Sequence, residues 1–283
     1  MPITFGELST LTTPLSLARF WALLWDCLTF SLAAPMSNTF SQSYLTTFHN
    51  FCMSTWCLFF IFTFLIVAIN FTQFHSLLPL SWKNLTATVA AMGMLMTVSA
   101  TFAFPWILKE QLTDARHRVV AVTVGSFLAS FGYVVELQLI RTQDSQQQRG
   151  YMASVPGLLK VLQVFGSCVA LVLLLAQEGN DTWRIIVSAL VYSLCLVASL
   201  GTVLVMVGDC AGRCPVPFDR VLAGFSMLGV LLYMVATVIC ISGALSNQNE
   251  LVPHMSETVI AGITLLAYTV DLAFSVKLLC DRS

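Results

Sequence analysis

The stretch LLAYTVDLAFSVKLL, residues 265–279, is an apolar run that carries a single acid, Asp271. Together with the apolar residues before it, the run has the length of a helix that crosses a bilayer, which needs about 20 mostly apolar residues. An ionised carboxylate in hydrocarbon costs several kcal/mol unless it is paired or hydrated. The stretch therefore predicts a transmembrane helix and raises the question of whether Asp271 is paired or hydrated.

The rest of the chain has the same character. Of its 283 residues, 57% are hydrophobic and 10% are charged, whereas soluble domains carry about 25% charged residues. This composition predicts an all-α polytopic membrane protein, and a net charge of −1 gives no indication of a nucleic-acid partner. Because no basic residue precedes Arg19 and no small-residue cleavage site follows, we expect the first apolar run to stay in the membrane rather than to be cleaved as a signal peptide.

Eight runs have the length of a transmembrane helix, at about residues 15–34, 44–69, 84–106, 119–140, 157–177, 183–206, 221–245 and 257–279. All nine prolines fall at run ends or in connections, so the sequence lacks the broken mid-membrane helices that are typical of transporters. With the N-terminus in the cytoplasm, nine Lys and Arg residues lie on the cytoplasmic side and four lie on the other side. This asymmetry predicts that both termini are cytoplasmic.

The runs repeat in chain order. SLARFWALLWDC (16–27) aligns with GLLKVLQVFGSC (157–168) at an offset of 141 residues, and YVVEL (133–137) aligns with YTVDL (268–272) at an offset of 135. The second and third runs align with the sixth and seventh at an offset of 136. Such nearly constant offsets indicate a duplication, which predicts two tandem four-helix units, residues 1–142 and 143–283.

The repeat places one base and one acid in each unit. Arg19 and Lys160 lie in the first helix of their units, and Glu136 and Asp271 lie at a similar depth in the fourth. First and fourth helices are neighbours in a closed bundle, so we expect two structural ion pairs, Arg19–Glu136 and Lys160–Asp271. Two other readings stay open: the bases snorkel to the headgroups while the acids are hydrated or protonated, or the acids form a ligand or proton site.

Asp26 lies in the middle of the first run, and its repeat position is Ser167, so it has no duplicated counterpart. The sequence leaves two readings for this unpaired acid. One is a hydrogen bond to a hydroxyl group or to His49 of the second run, and the other is a transport site.

Three cysteines are predicted next to the inner leaflet: Cys210 and Cys214 in GDCAGRCP (208–215), and Cys280 at the end of the last run. They are candidates for S-acylation, with unmodified thiols as the alternative. A structural zinc site needs four ligands, and no two further ligands are evident near the cysteine pair, so no metal site is expected.

Small residues recur four apart in the fourth run, at Ala121, Gly125 and Ala129. This spacing lets two helices approach closely. The close contact lies either inside the bundle or between protomers of a homo-oligomer.

Five segments, FCMSTWC (51–57), LSWKNLTA (80–87), YMASVPGLLKVLQ (151–163), CPVPFDR (214–220) and LLAYTVDL (265–272), resemble the myeloid-associated differentiation marker family, whose members carry two tandem MARVEL domains. The resemblance implies two MARVEL-type four-helix bundles at the plasma membrane or on vesicles. It also implies association with cholesterol-rich ordered membrane (rafts), roles in membrane organisation, trafficking and cortical signalling, and no catalysis.

The expected function is therefore that of a non-enzymatic membrane-organising protein without catalytic residues or a cofactor. Its expected partners are membrane lipids, including cholesterol, and other membrane or cortical proteins. The alternative is a channel or transporter that uses the intramembrane carboxylates Asp26, Glu136 or Asp271.

Overall fold

The computed structural model describes residues 12–39, 43–73, 80–108, 116–144, 150–177, 182–208, 218–246 and 251–281. Within these ranges the chain forms eight long α-helices and no strand. The helices are α1 Pro14–Ala33, α2 Ser43–Phe71, α3 Trp82–Leu108, α4 Arg116–Asp144, α5 Val155–Leu175, α6 Thr182–Val207, α7 Phe218–Ser246 and α8 Leu251–Asp281. The all-α prediction is confirmed.

All eight helices are long and apolar enough to cross a membrane, with candidate spans of 21 to 27 residues. At 1.5 Å per residue, such helices match a hydrocarbon core of about 30 Å. Each candidate span begins and ends within a few residues of a predicted run. The prediction of a polytopic membrane protein is therefore confirmed, by length and composition.

The first helix begins where its sequence predicts. Thr13 is the N-cap, and its Oγ1 accepts a hydrogen bond of 3.3 Å from the backbone N–H of Ser16. Pro14 follows at the first helical position, where its missing N–H has no intrahelical partner to lose. The first helix thus has a defined start, five residues before Arg19.

The chain divides into two compact units, unit 1 (residues 1–154) and unit 2 (residues 155–283). The sequence predicts a boundary after residue 142, and that boundary stays a prediction; the observed division lies after Ser154. The short 3-10 helix Tyr151–Ala153 packs on α3, and the backbone N–H of Met152 donates a 3.2 Å hydrogen bond to Asn84 Oδ1. These contacts place the segment before α5 with unit 1. That the units are MARVEL domains stays a prediction.

Each unit is a closed ring of four helices. In unit 1, α1 packs on α2 and α4, and α3 packs on α2 and α4. In unit 2, α5 packs on α6 and α8, and α7 packs on the same two helices, although α6 and α7 are the most sparsely packed neighbours. First and fourth helices are therefore adjacent in both units, which is the arrangement that an acid–base pair between them requires.

The distribution of polar and apolar side chains is the reverse of that in a soluble protein. Large apolar side chains such as Leu17, Phe131, Leu204 and Val238 are exposed, whereas charged side chains of the helix interiors are buried. Exposed apolar patches of this extent belong against lipid or against another membrane protein. The buried polar residues in the middle of each ring therefore form the candidate site.

Candidate functional site

The acid of unit 1 is bound to a base on the neighbouring helix. Arg19 of α1 donates from Nε to Oε1 of Glu136 on α4 over 2.6 Å, and each side chain is 3% exposed. Both residues lie between helices that pack closely along their length. The pair is a short, charge-assisted hydrogen bond that is closed to lipid.

The acid of unit 2 is bound by three side chains. Lys160 Nζ of α5 lies 2.5 Å from Asp271 Oδ2 on α8. Gln163 Nε2 donates to the same oxygen over 3.1 Å, and the hydroxyl group of Ser226 on α7 also donates to it. Lys160 Nζ donates in addition to Ser226 Oγ over 3.0 Å. Asp271 therefore connects three helices of the ring.

The structure brings the four predicted residues together in the two predicted combinations. The bases do not snorkel, because Arg19 is 3% and Lys160 is 1% exposed. A buried ion pair gains little over an apolar pair, but removal of one partner leaves an uncompensated charge, at a cost of about 3–5 kcal/mol. Each pair joins the first and fourth helices of its unit.

Asp26 is fully buried and bonds a tyrosine of the fourth helix. The hydroxyl group of Tyr133 donates to Asp26 Oδ2 over 2.7 Å, and Thr63 Oγ1 of α2 lies 3.0 Å from the same hydroxyl oxygen. Of the two predicted kinds of hydrogen-bond partner, the structure places a hydroxyl group at Asp26 Oδ2. The His49 ring contacts the backbone oxygen of Ala33, with Nε2 3.2 Å away.

The tyrosine of α4 has a counterpart in unit 2. Tyr268 of α8 pairs its hydroxyl oxygen with Ser199 Oγ at 2.6 Å, as Tyr133 does with Thr63. Ser199 lies 136 residues after Thr63, which is the offset of the second and sixth predicted spans. The two units therefore share a tyrosine–hydroxyl contact between equivalent helices.

A glycine opposite each tyrosine makes this contact possible. A Cβ atom on Gly93 would meet the Tyr133 ring at 3.0 Å, and one on Gly229, the equivalent residue of α7, would overlap the Tyr268 ring. Tyr133 and Tyr268 are 0% and 3% exposed. In both units the missing side chain of glycine is the space that the buried ring occupies.

The sequence interpretation missed Glu257, which is 2% exposed in α8. It accepts hydrogen bonds from Tyr192 over 2.9 Å and from Gln177 Nε2 over 2.6 Å, and Cys240 Sγ lies 3.3 Å away. Among the described residues it forms no ion pair. The predicted run begins at residue 257, which puts this acid at the membrane edge, whereas α8 begins at Leu251 and the acid lies almost two turns inside the helix.

Gln163 was missed as well. It follows Lys160 by three residues, which places both side chains on one face of α5, and it is 1% exposed. An uncharged polar residue in an apolar run is a weaker signal than a charge, since Gln occurs more readily inside membrane bundles.

Of the three cysteines predicted next to the inner leaflet, the structure describes one. Cys280 is exposed near the end of α8, whereas Cys210 and Cys214 lie outside the described residues. S-acylation of the three cysteines stays a prediction. Within the part of the chain that the structure describes, no three His, Cys, Asp or Glu residues form a group that could hold a metal ion.

The small residues of α4 serve contacts inside unit 1. A Cβ atom on Gly125 would overlap Thr29 Oγ1 of α1, and Ala129 is fully buried. Ala121 is exposed. The close approach at Gly125 therefore joins α1 and α4, and homo-oligomerisation stays a prediction.

Comparison with known proteins finds relatives that share one family name. It is 30% identical to the myeloid-associated differentiation marker of Rattus norvegicus over 97% of this chain and 93% of that protein. It is 30% identical to myeloid-associated differentiation marker-like protein 2 of Homo sapiens, over 96% of this chain and 94% of that protein.

The myeloid-associated differentiation marker homolog of Xenopus laevis is 29% identical, over 97% of this chain and 95% of that protein. No protein-family model matches the chain, and no solved structure matches it significantly. The likeness to these relatives runs through both four-helix units, because it covers nearly the whole length of each protein. The chain therefore belongs to the myeloid-associated differentiation marker family.

Proposed function

We propose that this protein is a non-enzymatic organiser of membrane domains, which acts in trafficking or cortical signalling from cholesterol-rich regions of the plasma membrane or of vesicles. Its partners are membrane lipids and the transmembrane segments of other proteins. Both termini face the cytoplasm in this proposal, as the distribution of Lys and Arg predicts.

One observation carries the proposal: the two ion pairs in the helix interiors are buried inside the bundles, while the outer surfaces of the bundles are apolar. The ion pairs of Arg19 and Lys160 are almost fully buried. Exposed side chains of the same helices are large and apolar, such as Leu24 of α1 and Leu175 of α5. Lipid chains and transmembrane helices are the partners that such a surface accepts.

The proposal is tested by phase partition in giant plasma-membrane vesicles cooled until ordered and disordered phases separate. The fluorescently tagged full chain should enrich in the ordered phase, and removal of cholesterol should abolish the enrichment. A single-span protein with a polyleucine helix is the control for passive sorting. Exclusion of the chain from the ordered phase under the conditions that sort a known raft protein would overturn the proposal.

A channel or transporter is the second candidate, and Asp26 is the residue that favours it. Its Oδ1 has no hydrogen-bond partner among the described residues, whereas the acids of both ion pairs are bound by bases. Proton and cation flux into vesicles that contain the purified chain distinguishes the two functions. A membrane organiser gives the flux of empty vesicles, and flux that Asp26→Asn removes would establish the transporter.

A further inference from the structure

Unit 2 contains a cavity between α6 and α7. Its volume is about 370 Å³, which falls in the range of small-molecule pockets, about 300–1,000 Å³. Leu194 and Val197 of α6 and Leu228 of α7 line it and are more than half exposed on the outer surface of the unit. The cavity therefore opens toward the lipid, and a ligand enters it from the bilayer.

The wall of the cavity is mostly apolar, but four polar residues contribute to its inner side. Gln163 and Lys160 of α5 line it together with Ser199 and Thr202 of α6. Gln163 lies within the first three turns of α5, whereas Leu194 lies near the middle of α6. Gln163 is thus nearer to a membrane boundary than Leu194 is.

Gln163 presents an acceptor that nothing in the described residues satisfies. The side-chain amide nitrogen of Gln163 donates to Asp271. Because an ionised carboxylate oxygen only accepts hydrogen bonds, the amide atom that faces Asp271 is Nε2 and the other is Oε1. The other end, Oε1, is buried and has no hydrogen-bond partner among the described residues. Buried acceptors of native proteins are nearly always satisfied, and Gln163 is one of the residues that line the adjacent cavity.

The charge at the polar end selects a neutral ligand. Lys160 is already neutralised by Asp271 at 2.5 Å, so an anionic headgroup would be an uncompensated charge in a site of low dielectric. A hydroxyl group supplies the donor that Gln163 Oε1 lacks without adding charge.

Unit 1 has larger or less polar side chains at the equivalent positions. Ala198 and Thr202 of α6 correspond to Phe62 and Ile66 of α2 at the offset of 136 residues, and Gln163 corresponds to Ala22 at the offset of 141. The unpaired acceptor and the small side chains that leave room beside it therefore occur together in unit 2.

We propose that the cavity between α6 and α7 binds a neutral lipid alcohol from the membrane, whose hydroxyl group donates a hydrogen bond to Gln163 Oε1 and whose apolar body lies between Leu194, Phe225 and Leu228. This site deepens the proposed function, because it names a lipid class that the organiser recognises. Sterols and diacylglycerols both carry such a hydroxyl group, and the experiment separates them.

The test is photoaffinity labelling of the purified full chain in nanodiscs. A sterol probe and a diacylglycerol probe, each with a diazirine and an alkyne, are compared with matched probes in which the hydroxyl group is methylated. At least one hydroxyl probe should label peptides of α6 or α7, and its methyl ether should label them about tenfold less, because one hydrogen bond is lost. The probe that labels identifies the source of the alcohol.

Two variants keep the test independent of folding. Ala198→Phe with Thr202→Ile installs the unit 1 residues, leaves the contacts of Asp271 intact and should abolish labelling without lowering Tm. The reciprocal variant, Phe62→Ala with Ile66→Thr, should leave labelling of α6 and α7 unchanged.

Three results would overturn the site. They are absence of labelling by both hydroxyl probes, equal labelling by the methyl ethers, and full labelling of the filled variant, which is Ala198→Phe with Thr202→Ile. Gln163→Leu should lower labelling about tenfold, by the same lost hydrogen bond. Phase partition in giant vesicles is measured on the filled variant in parallel. If the unaltered chain enriches in the ordered phase but neither hydroxyl probe labels it, this site fails and the proposed function stands.

Discussion

Unit 1 and unit 2 each neutralise one buried acid, but they use different donors to do so. In unit 1 the guanidinium group of Arg19 binds Glu136, and a guanidinium carries five N–H donors in a fixed plane. In unit 2 Lys160 offers three donors from one atom, and Ser226 and Gln163 add two more contacts at or beside Asp271.

In unit 1 the residues equivalent to Ser226 and Gln163 are Ala90 and Ala22. Both are small, apolar and fully buried. The comparison teaches that replacement of Arg by Lys is accompanied by changes around it. The duplicated bundle preserves the satisfied acid rather than the identity of each residue.

The units differ again about two turns further along the first helix of each unit. Asp26 of unit 1 corresponds to Ser167 of unit 2, and Ser167 Oγ lies 2.8 Å from the hydroxyl oxygen of Tyr233. Tyr233 corresponds in turn to Thr97 of α3. The tyrosine that bonds Asp26 therefore comes from α4, whereas the tyrosine that bonds Ser167 comes from α7.

The largest difference is expected on removal of the paired acids. Asp271→Ala leaves Lys160 buried without its acid, so it should destabilise unit 2 by about 3–5 kcal/mol. Glu136→Ala should fall at the lower end of that range, because Asp271 also accepts from Ser226 and Gln163. Thermal denaturation followed by fluorescence-detected size exclusion measures both. A smaller loss for Asp271→Ala than for Glu136→Ala would show that the helpers contribute nothing.

A smaller difference is expected at the glycines that face the buried tyrosines. Gly229→Ala should destabilise the protein by about 1–3 kcal/mol, a typical cost of overpacking, since its Cβ atom would overlap the Tyr268 ring. Gly93→Ala should cost less, because its Cβ atom would lie 3.0 Å from the Tyr133 ring. Tm values of the two variants test the order, with Gly201→Ala on exposed α6 surface as the control. Equal Tm values for all three would contradict the packing.

Removal of the tyrosine hydroxyl groups should have the opposite order, with the larger loss of stability in unit 1. Tyr133→Phe removes the donor to Asp26 and leaves a buried acceptor unsatisfied, at a cost of about 1–3 kcal/mol. Tyr268→Phe loses a contact with the hydroxyl group of Ser199, worth about 1 kcal/mol. The same thermal assay compares them. Should Tyr268→Phe prove the more damaging, the hydrogen bond to Asp26 would not be what holds α1 against α4.

The smallest effect is expected for Asp26→Asn, because the amide oxygen still accepts from Tyr133. The change in stability should stay within about 1 kcal/mol, the size of one ordinary hydrogen bond. Proton flux in vesicles should equal that of the unaltered chain. Altered flux with unaltered stability would assign Asp26 to transport.

Much of this arrangement could be predicted from the sequence. Charges in apolar runs are few, and the repeat aligns Arg19 with Lys160 and Glu136 with Asp271, so the pairing needs only the adjacency of first and fourth helices. The helix bounds follow in the same way from the length of the apolar runs.

The rest depends on packing across helices that are distant in the sequence. Glu257 falls at the edge of an apolar run, and its partners Tyr192 and Gln177 come from two other helices. The cavity of unit 2 depends on side-chain volumes at Ala198 and Thr202 and on the sparse packing of α6 against α7. Neither feature has a periodic or local signal.

The central claim is that Glu136 and Asp271 are each the structural partner of the base on the first helix of their unit. The most direct measurement is the cell-surface level and Tm of Asp271→Ala beside those of the double variant Lys160→Ala with Asp271→Ala. The claim predicts that Asp271→Ala lowers both values and that the second substitution partly restores them, because it removes the uncompensated charge. Losses that simply add in the double variant would contradict it.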